Sequence, residues 1–162
     1  MERKKDAIFK PIGVVYTNSS DDDIRKRIAS GESTIEIYPE YESALDGLDG
    51  FSHIFVLSHF DKLRPEQVGP LKVRPKSALR HGLALEDLPW IGVLALDSPT
   101  RPNPIGLSLV QVVRIVKTEI VVAGLDLFDG TPVLDIKPYK VTYRAESFTL
   151  PEWHAKLSES KK

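Results

Sequence analysis

The chain reads as a mainly β protein, a single small antiparallel β-barrel with a few short helices. Three observations predict this. Its 162 residues include 12 Pro and 10 Gly spread along the whole length, and each proline removes a backbone donor and pushes its predecessor toward extended geometry. Between the prolines, apolar residues recur with a period of two or in short continuous runs. Two hairpin turn signals lie in the second half, and many short strands in a small chain need closure to hide their edges.

In chain order, the pattern predicts a strand over 8–15 and then a short helix, where Asp21-Asp22-Asp23 places acids ahead of 24–29. A strand over 34–38 follows, with a brief helical turn over 43–48 before Gly50. Strands over 53–60 and 91–96 come next. The strand over 107–116 sets Leu107, Leu109, Val113 and Ile115 on one face, with Ser108, Val110, Val112, Arg114 and Val116 opposite. Lys117-Thr118-Glu119 turns it into a strand over 120–127, and Asp129-Gly130 signals a second hairpin into Thr131-Pro132-Val133-Leu134-Asp135-Ile136. Pro151 opens a last short helix. No repeat or linker divides the chain, so one domain over 1–162 is expected, with its core at about 8–140 and a flexible tail over 158–162.

Lys and Arg number 22 against 23 Asp and Glu, a net charge of -1 that lacks the basic excess of a sequence-blind nucleic-acid coat. Cysteine is absent, which removes thiol nucleophiles, disulfides, iron–sulfur clusters and cysteine-held zinc. With no long apolar run, the chain is expected to be neither secreted nor membrane-bound, and a cytoplasmic location fits. The Gly-rich fingerprints of P-loop and Rossmann sites are missing, as are G-x-S-x-G and H-E-x-x-H. His53 and His59 would stand about 20 Å apart along one strand, too far to share an ion. No metal is assigned.

Three segments carry candidate chemistry. Over 71–81, Lys72, Arg74, Lys76 and Arg80 are not interrupted by any acid; such a patch contacts a phosphate backbone or is simply a solvated loop. In Ser98-Pro99-Thr100-Arg101-Pro102-Asn103-Pro104-Ile105-Gly106, prolines remove much of the ordering entropy in advance, so Arg101 and Asn103 are presented with little freedom left to lose. That stretch is either a ligand loop or a rigid interstrand crossover. Over 124–139, Asp126 and Asp135 sit in otherwise apolar strands, where an acid needs a partner or a strand end. Lys137 is a structural partner for Asp135 in one reading, and Asp129 is the turn residue before Gly130.

The second and third of these segments resemble the TsaA-like family of TrmO-type tRNA methyltransferases, on the motifs Leu48-Asp49-Gly50-Phe51-Ser52-His53-Ile54-Phe55, Arg101-Pro102-Asn103-Pro104-Ile105-Gly106-Leu107-Ser108-Leu109 and Leu125-Asp126-Leu127-Phe128-Asp129-Gly130-Thr131-Pro132-Val133-Leu134-Asp135-Ile136-Lys137-Pro138-Tyr139. The resemblance covers roughly residues 8–140. It implies a β-barrel, paired as a homodimer, that uses S-adenosyl-L-methionine to methylate the exocyclic nitrogen of a threonylcarbamoyl-modified adenosine beside a tRNA anticodon. Longer members add a C-terminal domain not expected here.

The family's cofactor contacts carry over to Asp61, Lys62, Asp97, Leu107, Ala123, Gly124, Leu125 and Asp126, with Arg101 and Asn103 framing the pocket. Asp135 or Tyr139 would orient the acceptor or take up its proton, and the RNA would lie on Lys72, Arg74, Lys76 and Arg80. The sequence departs from the family at Leu96-Asp97, where members commonly carry Thr-Arg, and over 18–27, where a Pro-Arg-rich loop is missing. Two rivals stay open: a non-catalytic RNA-binding β-barrel, and a methyltransferase with a non-tRNA acceptor.

Overall fold

A computed structural model describes residues 6–26 and 31–159, with the side chains of 77, 80, 81 and 156–159 outside that description. The chain divides into two compact units, one holding the described residues of 1–62 and 105–139, the other those of 63–104 and 140–162.

The first unit is a closed barrel of antiparallel strands in the order β1-β2-β7-β6-β3-β8. The strands are β1 (Gly13–Tyr16), β2 (Glu32–Ile37), β3 (His53–His59), β6 (Ile105–Val116), β7 (Glu119–Ala123) and β8 (Pro132–Pro138). Helix α1 (Asp21–Lys26) joins β1 to β2, and its predicted continuation over 27–29 lies outside the described residues. Its start is capped by Ser20, whose hydroxyl accepts from the Asp23 amide at 3.2 Å and donates to the Asp23 carboxylate at 2.7 Å. A 3₁₀ turn, Pro39–Leu45, stands slightly ahead of the predicted one.

The barrel is filled from alternate positions on every strand. Val15, Ile35, Ile37, Ile54, Val56, Val110, Ile120, Val122 and Val133 are buried in one cluster, joined by Leu125 and Leu127 from the loop after β7. β-Branched residues dominate because a six-stranded closure leaves a narrow interior. Where β3 crosses β6 the space is tighter still. Ser58 pairs with Gly106, and a methyl group on Gly106 would sit 2.5 Å from the Ser58 hydroxyl and 2.7 Å from the Phe60 ring.

Several expectations are corrected by this topology. Up to Val112, β6 buries the face opposite Leu107. Leu107 and Leu109 point outward, 68% and 49% exposed, while Val110 and Val112 pack inward. A bulge between Val112 and Arg114 then inverts the parity, so Ile115 turns in and Arg114 and Val116 turn out. The first strand is shorter than 8–15, since residues 6–12 precede β1 as irregular chain.

Asp129-Gly130 is a turn but closes no hairpin. β7 pairs with β2 and β6, and β8 with β1 and β3, so the loop between them joins strands that are not neighbours. It is pinned instead to β1, where Thr17 donates its amide to the Asp129 carboxylate at 3.0 Å and Gly130 donates to the Val15 carbonyl at 2.8 Å.

The second unit contains a two-stranded sheet, β4 (Lys72–Val73) with β5 (Ile91–Gly92), several 3₁₀ turns and helix α2 (Glu152–Glu159). The strand predicted over 91–96 ends at Gly92, and Val93–Ala95 forms a 3₁₀ turn with Val93 buried. No helix among the described residues is long and apolar enough to cross a membrane.

Candidate functional site

In the barrel unit the loop after β7 carries several of the candidate residues. Gly124 takes φ +83°, a left-handed conformation that ends the strand. The chain then alternates, burying Leu125 and Leu127 in the barrel core and turning Asp126 out to solvent. Asp126 does not stand alone there: Ser108 on β6 donates its hydroxyl to Oδ1 at 2.9 Å. One carboxylate oxygen is thereby oriented on a residue that remains exposed.

Phe128 anchors the far side of the same loop. The Arg25 guanidinium lies 5.0 Å and the Lys62 ammonium 5.7 Å from its ring centroid, within cation–π range. Lys62 also donates to the Asp129 carbonyl at 2.7 Å. Lys62 thus holds the loop that carries Asp126, while Asp61 beside it is exposed. Ala123 is half-buried at the end of β7, and Leu107 sits on the outer barrel surface.

Asp135 and Tyr139 lie on or next to β8, on the outward side. Leu134 is the extra residue of a bulge, since Leu57 pairs with Asp135 and the next rung joins Ser58 to Val133. Bulges re-aim neighbouring side chains. Asp135 accepts from the Ile136 amide at 2.9 Å and holds the Lys137 ammonium at 2.6 Å, the partner that the spacing suggested. Tyr139 meets the rings of His53 and Phe55 edge-on, with centroids 6.4 and 5.6 Å apart, and donates its backbone amide to the His53 carbonyl.

In the second unit the proline loop is ordered by its own arginine. Arg101 donates to the carbonyls of Leu96 and Ser98 at 3.3 and 3.4 Å, and its carbonyl accepts from Gly69. Asn103 and Asp97 are exposed, and Asp97 makes no ion pair among the described residues. In the basic segment, Lys72 and Lys76 are exposed, whereas Arg74 donates to the Leu85 carbonyl at 2.6 Å and stacks on Trp90. The side chain of Arg80 lies outside the described residues. No group of three or more metal-ligating side chains is gathered among the described residues.

Sequence reasoning missed Ser108, Phe128 and Arg25 as partners of this loop. Ser108 was legible as a hydroxyl breaking an apolar strand; Arg25 joins Phe128 only through folding, more than a hundred residues away along the chain.

Comparison with known proteins adds independent findings. A family model described as the tRNA-methyltransferase O N-terminal domain matches residues 15–144. A probable S-adenosyl-L-methionine-binding protein of Methanothermobacter thermautotrophicus is 42% identical over 135 residues, 81% of this chain and 88% of that protein. The mouse tRNA (adenine(37)-N6)-methyltransferase is 35% identical over 122 residues, 75% of this chain but 26% of its own length. A crystal structure of TrmO superposes with a TM-score of 0.67 at 30% identity, covering 90% of this chain and 64% of that one.

Proposed function

The chain belongs to the tRNA-methyltransferase O N-terminal domain family, and from that premise we propose that it is an S-adenosylmethionine-dependent methyltransferase. Its acceptor in this reading is the exocyclic nitrogen of a threonylcarbamoyl-modified adenosine beside a tRNA anticodon. The observation that carries the proposal is the loop from Gly124 to Asp129, where two buried leucines turn Asp126 outward and Ser108 orients it.

The residues present suit the cofactor. An exposed carboxylate with one oxygen oriented fits the hydroxyls and cationic groups of a sulfonium nucleoside. Asp61, Lys62, Leu107, Ala123, Gly124, Leu125 and Asp126 of the barrel unit are its proposed contacts. Bound S-adenosylmethionine supplies an electrophilic methyl on a sulfonium, and alignment with the acceptor nitrogen is the main demand.

Asp126 meets that demand by holding the cofactor, and the self-anchored Arg101 keeps its loop from sampling other shapes. Asp135 and Tyr139 orient the acceptor. The Asp135 carboxylate is held in place by the Lys137 ammonium at 2.6 Å, so in this reading Asp135 positions, and the methylated nitrogen gives its proton to water. Lys72, Arg74, Lys76 and Arg80 steer the RNA. The exposed Leu107 and Leu109 suit a homodimer contact, and the protein works in the cytoplasm.

The test is methyl transfer to tRNA from a wild-type strain and from one lacking the threonylcarbamoyl group, beside calorimetric titration with S-adenosylmethionine. Transfer to the modified tRNA alone is expected, reduced in Asp135→Asn and Tyr139→Phe. Equal transfer to both tRNAs overturns the acceptor, and full turnover in both variants overturns their assignment. An absence of cofactor heat removes the enzyme reading. Sedimentation velocity tests the dimer, which a monomer at all concentrations overturns.

A further inference from the structure

Trp90 brings an exposed aromatic side chain against the charged segment. The ladder of β4 and β5 pairs Lys72 with Gly92 and Val73 with Ile91; one rung further, Arg74 meets Trp90, its guanidinium 5.3 Å from the ring centroid. Alternation along the strands puts Lys72, Arg74, Trp90 and Gly92 on one face. The indole is 63% exposed, although large aromatic side chains are usually well covered.

Arg74 is fixed rather than roaming: Nη1 is bonded to the Leu85 carbonyl at 2.6 Å and Nε is buried without a hydrogen-bond partner among the described residues. It therefore supports the indole and leaves the rest of the ring to solvent. Beside the ring, Gly92 adds no side chain, and a methyl group there would meet only the Leu71 carbonyl at 3.9 Å. Lys72 and Lys76 are exposed and make no ion pair among the described residues. The neighbouring acids, Glu86 and Asp87, follow Leu85 and make none with Arg74.

We propose that Trp90 is a stacking platform for one unpaired base of the RNA, with Arg74 bracing the indole and Lys72 meeting the adjoining phosphate. The proposal rests on the tRNA reading above and adds a base contact to what was only a patch of charge. An open π-face between cations matches a polyanion whose bases are splayed out. A purely apolar protein partner would strip water from Lys72 without pairing it. Bases stacked inside a duplex cannot use such a platform, so the site selects single-stranded segments such as an anticodon loop.

The experiment titrates the full chain with a fluorescein-labelled single-stranded RNA of anticodon-loop length and with the corresponding blunt duplex. Tryptophan emission is read in the Trp153→Phe background, where Trp90 is the one remaining indole. The single strand should quench Trp90 and bind more tightly than the duplex. Trp90→Ala should weaken single-strand binding roughly tenfold or more, and Trp90→Phe much less, since stacking survives on a phenyl ring. Lys72→Gln should lower the slope of log affinity against log salt by about one, while Trp90→Ala leaves it unchanged.

Equal affinity of wild type and Trp90→Ala, with both folded by circular dichroism, overturns the platform and leaves the methyltransferase reading standing. A chain that binds S-adenosylmethionine but no RNA overturns both the platform and the tRNA acceptor. Loss of self-association in Trp90→Ala with unchanged RNA affinity overturns it in favour of a protein contact.

Discussion

Ser108 on β6 and Asp126 on the loop after β7 are joined by a hydroxyl-to-carboxylate hydrogen bond of 2.9 Å across 18 residues of chain. This bond converts an exposed acid into an oriented one. Each arm of the loop is held separately, by Leu125 and Leu127 inside the barrel and by Phe128 under two cations. A site of this kind has its geometry set before a ligand arrives, which limits the ordering cost of binding.

Asp126→Asn should keep the hydrogen bond and lose the charge, whereas Ser108→Ala should keep the charge and lose the orientation. Calorimetry with S-adenosylmethionine should show a loss of roughly tenfold or more for the first, in line with hydrogen bonds to charged groups, and a smaller loss for the second. Affinity unchanged in Asp126→Asn would remove this residue from the proposed cofactor site.

Gly106→Ala should destabilise the barrel, because the added methyl group has the Ser58 hydroxyl at 2.5 Å and the Phe60 ring at 2.7 Å. Overpacking of this kind costs about 1–3 kcal/mol. Denaturant titration should show the loss as a lower midpoint with unchanged slope; a midpoint equal to wild type would mean that β3 and β6 have room to move apart.

Ser58→Ala should have the opposite sign. The Ser58 hydroxyl is fully buried and has no hydrogen-bond partner among the described residues, so removing it relieves an unpaid desolvation. An unchanged or higher melting temperature is expected. A clear drop would reveal a bond that the hydroxyl makes in solution.

Tyr16 should titrate above the ordinary phenol range. Its hydroxyl donates to the Glu36 carboxylate, and the negative charge of Glu36, then partial burial, then Asp129 add to the effect, all favouring the protonated form. With the folded value raised above the unfolded one, the stabilisation is complete below about pH 10 and fades as pH rises through the folded value. Tyr16→Phe should therefore flatten the alkaline limb of a stability-against-pH curve, and identical limbs in the two proteins would disprove the coupling.

Much of the barrel was visible in the pattern of side chains. The strand read over 53–60 is β3, and that over 107–116 lies within β6, since both alternate over enough residues to rule out a helix. The stretch over 91–96 misled because a short apolar run with a glycine serves a 3₁₀ turn as well as a strand. Asp129-Gly130 misled because a turn signal says that the chain reverses, not which strand it meets.

The residues alone determined the fold class, the stiffness of the proline loop and the acids of the loop after β7, because alternation, missing backbone donors and the cost of buried charge act within a few residues. Tertiary structure decided which side of β6 faces inward and which hydroxyl holds Asp126. A period of two defines two faces without naming the inner one, and the bulge near Val113 exchanges them midway. The pairing of Ser108 with Asp126 and of Arg25 with Phe128 required segments separated in sequence to be brought side by side, which barrel closure does and local preference cannot.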